Sequence, residues 1–567
     1  MSMKKLIECV PNFSEGRDMN VIKQITDVIE RHDGVKLLDV DPGYSTNRTV
    51  VTFVGTPDEV GEAAFQAVKK AQEVIDMRHH KGDHPRFGAT DVCPLVPISG
   101  VTMDEVAVYA SVLGKRIGEE LGIPVYAYEN AAAEEKRRNL ANCREGEYEG
   151  LKDKIASSDW KPDFGPTEFT ESVARSGAVA VGARDFLIAV NFNLNTTSTR
   201  RANAIAFDVR EKGRVKREGN PITGTIVKDE SGEPVMVPGS LKGTKAIGWY
   251  IAEYGIAQVS MNITNLSETP LHVAFEEVRE KARNRGLRIT GLEIVGLVPK
   301  KAIIDAGRYY LAKQGRSLGI TEAETIKIAI KSMGLDDLKP FDPHEKIIEY
   351  VIAAEYKTDS LVDLTCRGFA DETASESPAP GGGSISAYLG SLGAALATMV
   401  ANLSSHKAGW DDRWQEFSDW AVRGQQIKDD LLLLVDEDTY SFNKVMDAFG
   451  LPKTTDEEKK SRTAAIQEAT RYATEVPFQT MERAFAAFEI IKAMAEQGNP
   501  NSVSDAGVGA LCARSAVMGA YLNVKINAAG LKDRAFADEM LKRGAEIERA
   551  AIEAEAEIMA IVNSKIS

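Results

Sequence analysis

Residues 35–68, VKLLDVDPGYSTNRTVVTFVGTPDEVGEAAFQAV, decide how the first half of the chain folds. Residues 35–40 and 49–54 read as strands, and Gly43-Tyr44-Ser45-Thr46-Asn47 is the turn between them. A helix then starts with Thr56 as N-cap, Pro57 at N1 and Glu59 at N3, the arrangement of a capping box. Upstream, residues 5–10 read as a strand and 21–31 as a helix, which completes a β-α-β-β-α unit. A second unit begins near Gly182, with strands at 185–193, 246–253, 256–262 and 287–298 and helices at 198–211 and after Thr269-Pro270. Two such units in succession predict two α+β sandwiches of the split βαβ, ferredoxin-like kind, over residues 1–180 and 181–333. Residues 134–169, charged and poor in apolar side chains, read as the connection between them.

The chain changes character near residue 335. Residues 334–357 carry two prolines and many charges and read as a linker with one short helix at 345–353. Residues 358–567 are nearly all helix, with long amphipathic segments at 384–403, 413–450, 456–474, 477–496, 505–527 and 533–564. This is a helical-bundle pattern. The segment 384–403 (SISAYLGSLGAALATMVANL) is rich in Gly and Ala, so backbones can approach closely, as at a bundle centre or a subunit interface. The expected fold is therefore multidomain: two α+β subdomains followed by an all-α bundle.

Composition narrows the function. A formal net charge of -15 over 567 residues argues against general nucleic-acid or anionic-membrane binding. No segment approaches ~18 uninterrupted apolar residues, so no membrane span is expected. The first residues lack a signal-type apolar run, and Cys9, Cys93, Cys143, Cys366 and Cys512 form no CxxC pair. Both point to a reducing, cytoplasmic setting. His79, His80 and His84 lack the company a metal site needs, so no metal is expected.

Several segments carry candidate chemistry. Gly82–Asp91 (GDHPRFGATD) has neither helix nor strand period and reads as a fixed loop holding His84, whose imidazole titrates near neutrality, with Arg86 close by. Asp39 and Asp41 end a strand on one face, and Asn47 and Arg48 open the next. In the second half, Gly381-Gly382-Gly383 opens a helix whose exposed N–H groups favour an anion. Asp436-Glu437-Asp438 interrupts the apolar run LLLLVDEDTYSF; an acid buried there would have a raised pKa and could donate a proton. Each also has a plainer reading: a solvated loop, a β-turn, solvated acids, or a linker ending in Ser384 as a helix cap.

Together these segments resemble one family. ECVPNFSEG (8–16), LLDVDPGYSTNRTVVTFVG (37–55), IDMRHHKGDHPRFGATDVCPLVP (75–97), GARDFLIAVNFNL (182–194), PAPGGGSISA (378–387), LVDEDTYSF (434–442) and GAYLNVKIN (519–527) follow the order of formimidoyltransferase-cyclodeaminase. In that family a glutamate formimidoyltransferase is fused to a formimidoyltetrahydrofolate cyclodeaminase. The resemblance implies a bifunctional enzyme of histidine degradation. Its first half would move the formimino group of N-formimino-L-glutamate to tetrahydrofolate, and its second would form 5,10-methenyltetrahydrofolate and ammonia.

The family's catalytic histidine falls on His84, an active-site aspartate on Asp41, and the cyclodeaminase proton donor on Asp438. Arg48, Arg86 and Asn47 are candidates for binding substrate, the arginines by pairing with its carboxylates. The family's folate-contacting stretch implies Gly165, Pro166 and Phe169, and the Gly381–Gly383 start is a candidate for part of the folate. The implied co-substrate is tetrahydrofolate, polyglutamylated and used without a metal, on a homo-oligomer built from dimers. The sequence departs from the family pattern at 167–177, which is longer and lacks a tryptophan, and at 404–414 (SSHKAGWDDRW). Rival readings are that only one half is active, that the bundle is a methenyltetrahydrofolate cyclohydrolase, or that the chain is a non-enzymatic folate-binding module.

Overall fold

A computed structural model describes residues 5–44, 47–82, 86–220, 223–355 and 360–566. The chain divides into two compact units, Met1–Ala302 with Gly334–Ile352, and Ile303–Met333 with Ala353–Ser567.

The first unit begins with β1 (Leu6–Cys9), β2 (Asn12–Phe13), α1 (Met19–Glu30), β3 (Val35–Gly43), β4 (Arg48–Gly55), α2 (Pro57–Val74), β5 (Thr90–Ser99), α3 (Met103–Leu121), β6 (Val125–Glu129) and, after a run of short helices, β7 (Val179–Ala183). They form one seven-stranded sheet in the order β1-β4-β2-β5-β7-β6, with β3 on β4. The sheet is wider than a four-stranded sandwich because β7 and β6 extend it beyond β5. Alternation along the strands sends Ile7, Cys9, Phe13, Val51, Phe53, Cys93 and Leu95 to one face, where α1, α2 and α3 cover them through Ile25, Val68 and Ile117. The capping box expected at Thr56 does not form. Its hydroxyl donates to the Glu59 carboxylate at 2.7 Å instead of accepting from the backbone, although Pro57 does open the helix.

Residues 134–169 do more than connect. Their short helices bury Cys143, Leu151 and Ile155 against Val92, Tyr126, Tyr128 and Ala180 on the sheet's other face. A second sheet follows from β8 (Ile188–Leu194), α4 (Thr199–Val209), β9 (Thr244–Ile251), β10 (Ile256–Ile263), α5 (Leu271–Arg283) and β11 (Ile289–Val295). Its four strands run antiparallel in the order β9-β10-β8-β11. The stretch read as a linker is partly core: Ile348 and Ile352 are buried with Val54, Val96 and Phe186.

The second unit holds most of α6 (Lys300–Lys313), then α7 (Glu322–Met333) and the bundle proper: α8 (Gly382–Ser405), α9 (Trp414–Gly450), α10 (Asp456–Gln497), α11 (Val503–Ala529) and α12 (Arg534–Ile566). By length and composition α8 passes for a membrane span, but most of it is buried in the bundle. Its small residues permit that burial. A Cβ on Gly393 would stand 2.9 Å from the Gly509 carbonyl of α11. The two helices expected at 456–474 and 477–496 are one, with Pro477 inside it. Pro477 has no N–H for the carbonyl four residues back, and the Asn527 amide donates to that carbonyl, Ala473 O, at 2.6 Å instead.

Candidate active sites

β5, β7 and β6 run parallel, and β1 is antiparallel to both β4 and β5. The starts of β4, β5, β6 and β7 therefore share one end of the first sheet, and the candidate loops of the first half gather there. The pairing of Asn12 with Val92 and of Phe13 with Thr90 skips Asp91, which a bulge turns aside. Asp91, 1 % exposed, accepts from Arg48 at 2.9 Å and from Arg144 at 2.8 Å. Arg48 also donates to Asn12 Oδ1 at 2.9 and 2.6 Å. Two guanidiniums on one carboxylate leave positive charge at this end of the sheet. Burial pushes the Arg48 guanidinium below its ordinary value, and Asp91 counters that only in part.

Asn47 sits in the left-handed region (φ 49), which asparagine tolerates better than most residues, and is buried. Its Oδ1 accepts from Gly16 N at 3.0 Å, its Nδ2 donates to Lys81 O at 2.9 Å, and its carbonyl meets His80 Nε2 at 2.8 Å. Arg86 donates to His80 O at 2.6 Å, pairs with Glu149 and lies over the Tyr148 ring. Asn47 and Arg86, read from the sequence as substrate contacts, thus spend most of their polar groups on the protein, fixing both flanks of the histidine loop. His84 itself lies outside the described residues. Downstream, Gly88 and Gly177 bridge so closely that a Cβ on Gly88 would stand 2.1 Å from Ala178 O.

Asp39 and Asp41 are exposed and share a face, as the alternation predicts; Asp41 pairs with Val50 on the face opposite the long helices. Gly165 (φ 87) packs against the backbone of Ile123 and Gly118 beside the start of β6, with Pro166 next to it. Phe169 packs on the Tyr126 cluster. Four strand spacings separate β4 from β6, about 19 Å at ~4.8 Å each. The structure therefore places Arg48 and Asp41 well apart from Gly165 and Pro166. The sequence reading assigned no role to Asp91, Arg144, His80 or Glu149. Asp91 stood inside the 75–97 motif, but a bulge at Asp91 and, for Glu149, a partner 63 residues away leave no local signature.

In the bundle, three successive acids splay around α9, about 100° apart as helical geometry requires. Asp436 accepts from Ser360 Oγ at 2.6 Å and Leu361 N at 2.7 Å. Glu437 is buried, and its carboxyl is pushed up by that burial. Asp438 faces the first turn of α8, where Ser384 N and Ser384 Oγ donate to its Oδ2 at 2.8 and 3.1 Å. Burial raises the Asp438 pKa, and the two Ser384 donors pull it back.

The anion expected at the glycine-rich helix start is thus the protein's own carboxylate. Gly383 makes this possible, because a Cβ there would stand 2.1 Å from Asp438 Oδ1. Around this pair, Gly381 is the N-cap, Gly382 lies against the Asn523 amide, and Ser386 Oγ donates to Gly382 O at 2.6 Å. The arrangement can protonate a leaving group: it has a desolvated acid, held by two donors, at a helix N-terminus. Among the described residues, no group of three or more His, Cys, Asp or Glu side chains could hold a metal ion.

Such a chain, with an α+β half whose loops converge on a histidine segment and an all-α half presenting a half-buried acid, is of the fused two-centre class. Residues 6–184 match the formiminotransferase domain, N-terminal subdomain; residues 189–353 match the formiminotransferase domain; and residues 365–546 match formiminotransferase-cyclodeaminase. The chain belongs to the formimidoyltransferase-cyclodeaminase family. It is 43% identical to the formimidoyltransferase-cyclodeaminase of Gallus gallus over 95% of each chain. It is 43% identical to the glutamate formimidoyltransferase of Thermoplasma acidophilum over 55% of this chain and 93% of that one. It is also 42% identical to the methenyltetrahydrofolate cyclohydrolase of Methylorubrum extorquens over 31% of this chain and 86% of that protein.

Proposed function

We propose that the chain catalyses two successive folate reactions of histidine degradation. The first half transfers the formimino group of N-formimino-L-glutamate to N5 of tetrahydrofolate. The bundle then converts 5-formimidoyltetrahydrofolate to 5,10-methenyltetrahydrofolate and ammonia. The observation that carries this reading is Asp438, the family's expected proton donor, desolvated and held by Ser384 at the α8 start.

In the transfer, N5 adds to the amidine carbon, the adduct gives up the N5 proton to His84, and the carbon–nitrogen bond to glutamate breaks as its nitrogen gains a proton. Asp41 orients the amidinium. Arg48, Asn47 and Arg86 hold the histidine loop and give that end of the sheet a positive field for substrate carboxylates. An extended folate lying along the end of the sheet would reach Gly165, Pro166 and Phe169. In the bundle, N10 closes on the amidine carbon and its proton passes to the amidine nitrogen; Asp438 supplies one further proton, the carbon–nitrogen bond breaks and the nitrogen leaves as ammonia. The glycines at Gly381–Gly383 leave room for folate beside Asp438. No metal is needed for either step.

We read the β8–β11 sheet as the split βαβ, ferredoxin-like arrangement, because its strand order follows that topology. The boundaries 1–180, 181–333 and 358–567 are those we assign to the functional parts. The folate carries a polyglutamate tail, and the protein works in the cytoplasm as a homo-oligomer paired through its bundles. Val508, Leu511, Leu522 and Ile526 support that pairing: they form one exposed apolar stripe along α11.

A coupled absorbance assay for the methenyl product, started from N-formimino-L-glutamate and tetrahydrofolate, tests the scheme. His84→Ala loses the transfer, and Asp438→Asn accumulates the formimino intermediate. Full activity in both variants refutes it. The similarity to a cyclohydrolase favours a second reading of the bundle, which fails if ammonia is released stoichiometrically with methenyl product.

A further inference from the structure

Residues 210–217 read REKGRVKR, a cationic run in a chain whose acids outnumber its bases by 84 to 69. The structure gathers most of that charge on one cavity. Arg214–Val215 pairs with Met236–Val237, and this pairing closes a cavity of about 790 Å³ against α4. Gly213 (φ 65) permits the close fold, since a Cβ there would stand 1.8 Å from Val237 O. Arg210, Lys212, Arg214 and Arg217 line the cavity together with Arg200 of α4. Glu211 turns elsewhere, its carboxylate accepting from Gly243 N at 3.1 Å. Among the described residues, Glu233 is the one acid in the lining, and no residue assigned to either catalytic centre belongs to it.

The cations are not equivalent. Arg214 is answered within the protein: it pairs with Asp208, which also holds Arg285, and donates to Ala204 O at 2.5 Å. Arg210 is half-buried, yet its partners are the carbonyls of Gly213 at 3.0 Å and Ala246 at 3.4 Å, and the Phe207 ring 4.0 Å beneath it. Burial lowers its pKa, with no carboxylate among the described residues to offset that. Arg217, also half-buried, donates to Gly224 O at 2.8 Å. Arg200 and Lys212 stand exposed at the mouth. Among the described residues none of these four forms an ion pair with an acid. Desolvating a guanidinium without a counter-charge is costly, and four cations facing one acid set up a strong local positive field.

A single carboxylate brings one charge to such a field, whereas a terminal phosphate brings about −1.5 to −2 and three acceptor oxygens that guanidinium forks match. The apolar walls from Phe207, Val215 and Met236 suit an organic body beside the phosphates. The volume lies within the ~300–1,000 Å³ of small-molecule sites. We propose that this cavity binds an organic di- or triphosphate, with its phosphates on Arg200, Arg210, Lys212 and Arg217 and its organic part against Phe207, Val215 and Met236. The site is independent of the assignment of either catalytic centre.

The test is calorimetric titration of the full-length protein with ATP as probe, at low salt and with EDTA present. Wild type binds one ATP per chain, and added salt weakens the binding. Excess magnesium weakens it as well, because the ion occupies the phosphate oxygens that the arginines need. Arg210→Gln and Arg217→Gln each weaken it about tenfold or more, the worth of one charge-assisted bond, while both enzyme activities are retained. The double variant Arg200→Gln with Lys212→Gln, whose side chains are exposed and so leave the fold intact, also weakens it about tenfold. Citrate and a γ-linked triglutamate, which carry carboxylates in place of phosphates, bind at least tenfold more weakly than ATP. The absence of ATP binding to wild type overturns the proposal, as does equal affinity in wild type and the double variant. Binding of citrate or triglutamate as tight as that of ATP overturns the phosphate assignment, and tighter binding with magnesium does the same.

Discussion

Adding one methyl group at Gly383 separates the chemistry of the bundle from its stability. An alanine Cβ there would stand 2.1 Å from Asp438 Oδ1, 2.5 Å from Cγ and 2.6 Å from Oδ2. Carbon–oxygen contacts settle nearer ~3.5 Å, so the two groups cannot coexist. What yields is the Asp438 carboxylate, the free end of a side chain, rather than the α8 backbone. Swinging away, it loses the bonds from Ser384 N and Ser384 Oγ, 2.8 and 3.1 Å long. Hydrogen bonds to a charged group are worth about 1.5–3 kcal/mol each, and regained hydration offsets part of that loss. The effect on activity has no such offset. A general acid out of reach of the leaving amine forfeits roughly a hundred- to ten-thousand-fold. Gly383→Ala should therefore lower the ammonia-releasing step by about that factor, measured with 5-formimidoyltetrahydrofolate, while leaving the transfer rate and the far-ultraviolet spectrum unchanged. A deaminase rate within about threefold of wild type, on a scale where ~1.4 kcal/mol is tenfold, would refute the placement of Asp438 as donor.

Other consequences follow from the same geometry. Ser384→Ala removes a hydroxyl that stabilises ionised Asp438, so the falling limb of the deaminase pH profile moves to higher pH; no movement, or a downward one, contradicts the assignment. Asp91→Ala takes away the carboxylate shared by Arg48 and Arg144 and should destabilise the first unit by about 3–5 kcal/mol in urea unfolding. It should also abolish transfer and spare deamination, and an unchanged urea midpoint would count against the network. Glu8 faces Val54 and Val96 across the sheet, and burial pushes its carboxyl from an ordinary 4.5 to about 7. Because the folded value is the higher one, stability is greatest below the unfolded value and declines as pH rises through this window. At ~1.4 kcal/mol per pH unit the decline is on the order of 3 kcal/mol. Glu8→Gln should therefore match wild type in acid and exceed it above neutrality; parallel unfolding midpoints across the range would contradict the burial argument.

Much of this protein is legible along the chain because its information is local. Strand–turn–strand–helix order at residues 35–68, the helical period after residue 358 and the small-residue run of α8 all depend on neighbours within a few positions, where backbone geometry fixes which side chains share a face. The acidic triplet Asp436-Glu437-Asp438 stands out for the same reason, as acids within an apolar helical run, and the family resemblance picks Asp438 from it. Other features had no local cause. Pro477 reads as a break, yet α10 runs through it because Asn527, fifty residues on, answers the carbonyl that proline leaves. Gly381–Gly383 reads as an anion site, but only packing between α8 and α9 decides that the anion is Asp438. Asn47 and Arg86 read as ligand contacts, and only the fold shows that they also bond Lys81, His80 and Glu149. Sequence determined which groups can carry charge and which segments form elements. The tertiary structure decided which charges meet, because hydrogen bonds and burial act over a few ångströms of space however far apart the residues lie in the chain.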